Sequence, residues 1–296
     1  MTATGPVVVV TGGTRGIGHG LARAFLDRGC RVALCGRTPE AVQAAVTHLD
    51  APPDRLIGRP ADVTDRDQLA ALWRAALDAF GTVDVWINNA GTTTARRPLW
   101  ELTENETGDV VDANLMGVAN GSAVAVQGFL ELGRGTVWNM EGFGSDGRLL
   151  PGLGAYGATK SAVTYLTRAL AADLRTHAAA GHPHDVRAMA LSPGMVVTDV
   201  LTHGYSPQEY EKARKVFDIL ADTVETVTPW LADQVLSGRT RNGGRVAWLT
   251  NRKAAVRFAT APFRRRHIMP DQPAGAPPSQ ADGGEAPARQ DEEATR

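Results

Sequence analysis

The chain has 296 residues, 43% of them apolar and 21% charged, with a formal net charge of -1. That length supports a large buried core, and the composition excludes a collagen-like, coiled-coil or wholly disordered chain. A charge near zero gives no global nucleic-acid footprint, and the two cysteines, Cys30 and Cys35, form neither a disulfide framework nor a metal-ligand spacing.

In chain order, Val7, Val8, Val9 and Val10 make a continuous β-branched run, which predicts a strand buried on both faces. Glycines follow, then a helix over 17–28 with Gly29 at its C-terminal end. A second strand is expected over 31–35, a helix over 39–49 opened by Pro39, and a short strand over 56–58. Thr64 or Asp65 can cap a helix that ends near Phe80, before Gly81. Next come a strand over 83–87 that runs into Asn88-Asn89-Ala90-Gly91, a long helix over 105–128, a strand over 135–140, a helix over 156–176 and a strand over 186–191. A helical region between Pro207 and Val235 precedes the last strand, over 246–249. Strands alternating with helices imply right-handed crossovers and an α/β, doubly wound parallel sheet (a Rossmann fold) in a single domain over 1–250.

Beyond that the pattern changes. Residues 252–267 hold Arg252, Lys253, Arg257, Arg264, Arg265 and Arg266 with no acid, interleaved with Val256, Phe258 and Phe263. A basic C-terminal extension over 251–270 has three readings: a solvated terminal helix, a peripheral surface for a membrane or anionic lipid, or a subunit interface. Residues 271–296 carry four prolines and six acids against two arginines, a composition expected to stay disordered. No nucleic-acid motif appears. The first residues lack a basic region followed by an apolar stretch, and no run of about 18 apolar residues occurs. Neither a signal peptide nor a transmembrane segment is therefore expected, and a cytoplasmic location is.

Thr11-Gly12-Gly13-Thr14-Arg15-Gly16-Ile17-Gly18 lies between the first strand and the first helix. Glycines there let backbone approach a pyrophosphate, and the helix start offers free N–H groups and a positive dipole end. At the end of the second strand an acid would bind a ribose 2′-hydroxyl. The chain has Gly36-Arg37 instead, with Arg15 in the loop. Two guanidinium groups near one phosphate favour NADP(H) over NAD(H), unless both arginines are simply solvated.

These residues, with Asp62-Val63, Asn88-Asn89-Ala90-Gly91, Asn114, Tyr156-x-x-x-Lys160 and Pro193-Gly194 followed by Thr198, resemble the short-chain dehydrogenase/reductase family over about residues 6–249. The resemblance implies that Gly12, Thr14, Arg15, Gly16, Ile17, Gly18 and Arg37 hold the cofactor's phosphates. Asp62 and Val63 would hold its adenine, and Asn89, Ala90 and Gly91 would line its cleft. Pro193, Gly194, Val196 and Thr198 would face its nicotinamide end. A homo-oligomer, dimer or tetramer, is also implied. Tyr156 and Lys160 lie four apart on one helix and share a face. A neighbouring ammonium would lower the phenol's pKa from about 10 and let Tyr156 exchange a proton with a carbonyl oxygen. Lys160 would also bind the nicotinamide ribose, and Asn114 would order a water linking Lys160 to solvent.

The family's usual serine, about thirteen residues before the tyrosine, is absent. Gly142 stands near its place in Asn139-Met140-Glu141-Gly142-Phe143-Gly144-Ser145. Ser145 could orient the substrate carbonyl if the loop bends back; otherwise a backbone N–H or a water does so. This segment, Ala155-Tyr156-Gly157-Ala158-Thr159-Lys160, Leu191–Asp199 and 216–221 resemble the chlorophyll b reductase branch, which reduces a 7-formyl group. In the family, residues 195–235 close over the substrate; here they are apolar enough for a hydrophobic small molecule, and equally for a pair of amphipathic helices that pack on the core. Three functions follow: an NADPH-dependent reductase of a bulky apolar aldehyde or ketone, a dehydrogenase of small or steroid-type alcohols, or an NADP-binding sensor with little catalysis.

Overall fold

The computed structural model describes residues 5–264 and 266–270. Seven strands form one sheet: β1 (Val7–Val10), β2 (Arg31–Gly36), β3 (Leu56–Pro60), β4 (Val85–Asn88), β5 (Arg134–Met140), β6 (Asp185–Ser192) and β7 (Arg245–Ala247). Their order is β3-β2-β1-β4-β5-β6-β7 and every pairing is parallel. The order reverses between β1 and β4, which opens a crevice beyond the strands' C-terminal ends. The expected doubly wound parallel sheet is what forms.

The helices are α1 (Gly16–Asp27), α2 (Pro39–Leu49), α3 (Arg66–Phe80), α4 (Glu104–Val111), α5 (Gly117–Leu132), α6 (Gly154–Ala179), α7 (Asp199–Thr202), α8 (Pro207–Leu220), α9 (Val224–Leu236) and α10 (Asn251–Thr260). Side chains alternate across a strand, so β1 feeds two cores. Val8 and Val10 pack with Leu21 and Phe25 of α1 and Val227 and Leu231 of α9. Val7 and Val9 pack with Leu72 and Trp73 of α3 and Phe129 of α5. Strand and helix identities follow the sequence pattern, and Gly81 and Gly133 end α3 and α5 at positive φ.

One expected helix is interrupted. Between α4 and α5 the residues Asp112–Met116 form a π-helical turn, with Asn114 fully buried in it. Such single turns widen the ladder by one residue and redirect a side chain, often at a functional site. The composite Glu104–Leu132 is long and apolar enough by length and composition to cross a membrane. Here it is a core helix, with Val118, Val124, Ala125 and Phe129 buried.

The basic extension differs from a solvated helix. Asp222, in the turn between α8 and α9, is 3% exposed. Its carboxylate accepts from Trp248 Nε1 at 2.6 Å and pairs with Arg257 at 2.8 Å and Arg266 at 2.6 Å. Its backbone N–H donates to Met195 O and its carbonyl accepts from Val197 N. Asp222 therefore ties the extension to the segment that follows β6. Farther on, the backbone N–H groups of Ile268 and Met269 donate to Asp218, Tyr210 donates to Pro270 O, and Met269 is buried against α8. Arg252 and Arg264 stay exposed, as expected for a solvated face. The acidic stretch 271–296 lies outside the described residues.

Burial raises the Asp222 pKa, but the hydrogen bonds from Arg257, Trp248 and Arg266 outweigh it and hold the group below its ordinary value of 3.8. The carboxylate's contribution to stability is then complete above that value and disappears as pH falls through the lowered one. Asp222→Asn strands two guanidinium groups and should cost roughly 3 kcal/mol at neutral pH. Denaturant unfolding at pH 7 and at acid pH should show a variant–parent gap that narrows in acid; an equal gap at both would contradict this role.

Candidate active site

The crevice is built from the ends of β1, β4, β5 and β6. At the end of β1, Gly12 has φ +63°, and a Cβ there would lie 2.7 Å from Ala90 Cα. A Cβ on Gly18 would lie 2.1 Å from Gly12 O. Both positions therefore require glycine, one for the turn and one for the approach of α1 to the loop. Asn89 fastens the turn from β4: its Nδ2 donates to Thr11 O at 3.0 Å and Gly12 O at 3.1 Å. The backbone N–H groups of Asn89 and Ala90 both donate to Thr11 Oγ1.

The first turn of α1, Gly16, Ile17 and Gly18, has no side-chain cap and no acid. Those N–H groups and the dipole end suit an anion, so the residues present fit a dinucleotide's pyrophosphate. Thr14 packs on the end of β2, where a Cβ on Gly36 would meet Thr14 Cγ2 at 2.4 Å. This contact brings Arg15 and Arg37, each next in sequence to one member, to the same corner, and both are exposed. Arg15 also reaches Asp199 of α7 at 3.0 Å.

Asp62 accepts from Thr64 N and Thr64 Oγ1, and Val63 is buried against Gly117. On the opposite wall Gly194 has φ +75° and packs on Leu249, Pro193 precedes it, Val196 is buried, and Thr198, just before α7, lies beside Gly16. The glycine loop, β2 end, β4 end and post-β6 segment thus face one cleft.

Tyr156 and Lys160 share the first turns of α6, which bring them over the end of β5. Lys160 is buried, its Nζ donating to Met140 O at 3.3 Å and lying 5.8 Å from the centre of the Tyr156 ring. Burial pulls its pKa down to about 8, while Glu141 pulls it back up. The phenol of Tyr156 behaves differently from the sequence expectation. Burial pushes it up to about 12, and Arg96 rather than Lys160 is the cation that opposes this. Desolvation of the phenolate outweighs the attraction, so the neutral phenol is favoured.

Asn114 lies under this pair, but its amide is occupied. Oδ1 accepts from Thr92 N at 2.8 Å, and Nδ2 donates to Thr92 O at 2.9 Å and Thr159 Oγ1 at 3.2 Å. It joins the loop after β4 to α6. Gly91 permits that approach, since a Cβ there would fall 2.8 Å from Asn114 Oδ1.

The loop after β5 lies along α6 because two glycines meet: a Cβ on Gly144 would sit 2.6 Å from Gly157 Cα. Ser145 does bend back, and its hydroxyl accepts from Gly142 N at 3.1 Å and donates to Lys160 O at 3.2 Å. Gly142 faces the phenol, where a Cβ would lie 2.3 Å from Tyr156 Oη. A side chain at that position would displace the tyrosine hydroxyl.

Sequence reasoning passed over Glu141 and Arg245. The Glu141 side chain is 1% exposed. It accepts from Arg245 Nε at 2.6 Å and from Thr164 Oγ1, and Arg245 reaches on to Ser192 Oγ at 3.0 Å. An acid directly after a strand of a sheet covered on both faces was the available signal, because a buried carboxylate needs a partner.

The short chain dehydrogenase family model matches residues 6–209. The chain belongs to the short-chain dehydrogenase family. Chlorophyll(ide) b reductase NOL of Oryza sativa subsp. japonica is 34% identical over 275 residues, covering 89% of this chain and 78% of that protein. Its Arabidopsis thaliana counterpart is 35% identical over 234 residues, covering 77% of this chain and 64% of that protein. Among solved structures, levodione reductase superposes with a TM-score of 0.73 at 26% identity, covering 84% of this chain and 98% of that one. Both plant relatives are chloroplastic. That overturns the cytoplasmic expectation, which rested on the lack of a signal-peptide pattern and of a long apolar run.

Arg245→Ala should be the costly half of the Glu141–Arg245 pair, because it leaves a buried carboxylate uncompensated. Unfolding in denaturant is expected to lose about 3 kcal/mol. The double variant Glu141→Gln/Arg245→Ala should recover part of that loss; additive losses would contradict the coupling.

Proposed function

We propose that the chain is an NADPH-dependent reductase of a carbonyl on a bulky apolar substrate, with the formyl group of a chlorophyll b-like pigment as the leading case. The observation that carries this reading is Tyr156 beside buried Lys160 on α6, across one cleft from the uncapped start of α1. The similarity to chlorophyll(ide) b reductases supports the substrate class.

When bound, the nicotinamide supplies hydride to the carbonyl carbon. The chain does the rest. The start of α1 and the Gly12 turn hold the pyrophosphate, and Arg15 and Arg37 meet the 2′-phosphate. Tyr156 Oη gives its proton to the carbonyl oxygen as negative charge develops there. The phenolate left behind is offset by the Arg96 guanidinium, the cation that acts on this phenol, and the Lys160 ammonium holds the ribose. Asn114 positions α6 through Thr159 and the loop through Thr92. Ser145 has one proton and gives it to Lys160 O, so it has none for the substrate. We assign it to bracing the loop that holds Gly142 against Tyr156.

Turnover is read as NADPH oxidation with a 7-formyl chlorin. Tyr156→Phe should lower kcat by about 10²–10⁴-fold. Tight NADPH binding with no turnover on any carbonyl would favour a sensor instead. The rate of reduction should hold steady at neutral pH and fall as pH rises past about 8, where Lys160 loses its proton; a rate that climbs through that range would contradict the assignment.

NADPH should be preferred to NADH. Removing Arg37 should raise the KM for NADPH by about tenfold or more, the loss of a hydrogen bond to a charged group, with little effect on NADH. Equal losses for both cofactors would show that Arg37 does not read the 2′-phosphate.

A further inference from the structure

Among the described residues Arg96 has no ion-pair partner. It lies in the loop after β4, where three segments of the cleft wall meet. Its backbone abuts Gly152, one turn before Tyr156 on the approach to α6: a Cβ on Gly152 would lie 3.1 Å from Arg96 C. On the other side it abuts Gly204, between α7 and α8, where a Cβ would lie 2.8 Å from Arg96 N. The guanidinium stacks 3.8 Å from the centre of the Tyr205 ring, and one Nη donates to Leu201 O at 3.3 Å.

Its remaining hydrogen-bonding capacity is unused. Arg96 Nε is enclosed with no partner, and so is Thr94 Oγ1 two residues earlier in the same loop. No ion pair among the described residues involves Arg96. Glu209, the acid that acts on it through space, is committed to the Ser206 cap of α8. Enclosed donors left unpaired are costly, and a guanidinium offers two parallel donors that match a carboxylate. The cation is close enough to Tyr156 to act on its phenol.

We propose that Arg96 is the substrate-specificity residue of the cleft: the Nη end of its half-buried guanidinium receives a carboxylate carried by the carbonyl substrate, while Nε and Thr94 Oγ1 stay enclosed in the loop behind it. The wall beside it is apolar, with Leu201, Tyr205 and Phe217 packed together with Val197. The favoured ligand is thus an apolar carbonyl compound with one free acid group rather than its neutral ester. This deepens the reductase reading and rests on the same cleft, but binding alone can test it.

Two aldehyde pairs serve as probes, a 7-formyl chlorin and 3-(4-formylphenyl)propionic acid, each as free acid and as methyl ester. Calorimetric Kd values are measured with the full chain in the presence of NADPH and in its absence. The parent protein should bind an acid at least tenfold more tightly than its ester. Arg96→Gln should bring the acid-to-ester ratio near one, and Arg96→Lys should restore part of it. If Arg96 merely supported Tyr205, both probes would weaken together and the ratio would persist; Tyr205→Leu serves as that comparison. No acid preference in either pair, including no binding of either acid, would overturn the proposal. An acid preference without turnover would overturn the reductase reading and leave Arg96 in place.

Discussion

A buried ammonium sets the terms for the whole cleft. Lys160 sits among apolar strand ends with one carbonyl, Met140 O, at hydrogen-bond distance. Taking such a charge out of water is expensive unless neighbours compensate. Glu141 supplies the compensating field, Arg245 keeps Glu141 paired, and Ser192 ties Arg245 to the strand that leads into Pro193 and Gly194. The last strand is short, three residues, yet it delivers the arginine on which this chain of charges depends. The tyrosine beside it is pushed the other way, toward its neutral form, by the same loss of water. The two shifts together give a neutral phenol next to a titratable cation.

The substrate side is organised by a second buried charge. Asp222 gathers Trp248, Arg257 and Arg266, and through its backbone fixes Met195 and Val197. The basic extension therefore acts as a strap across the segment that forms one wall of the cleft. Its positive charge is partly internal, which a sequence total cannot reveal. The formal net charge of -1 is the sum of a weakly acidic body, this basic strap and the acidic residues after it.

Much of this was legible in the sequence. The run Val7–Val10, the glycines after α1 and α3, and the four-residue spacing of Tyr156 and Lys160 each carry a local physical signal that the structure honours. The π-helical turn at Asn114 left no trace, because one extra residue in a long helix barely changes its apolar periodicity. The direction of the Ser145 hydroxyl depends on Gly144 meeting Gly157 across a loop, a tertiary contact. Arg96, Arg257 and Arg266 look alike in sequence, and only folding separates a cation paired with Asp222 from one with no ion-pair partner among the described residues.

The most direct test is a titration of Lys160 itself. With ¹³C-labelled lysine, the Cε resonance that disappears in Lys160→Met should titrate near pH 8 in the full-length protein. Glu141→Gln should move that midpoint lower still, since the field holding the proton is removed. A Lys160 midpoint at its ordinary value of 10.5, unmoved by Glu141→Gln, would show that the ammonium is solvated and that the cleft is not organised around its burial.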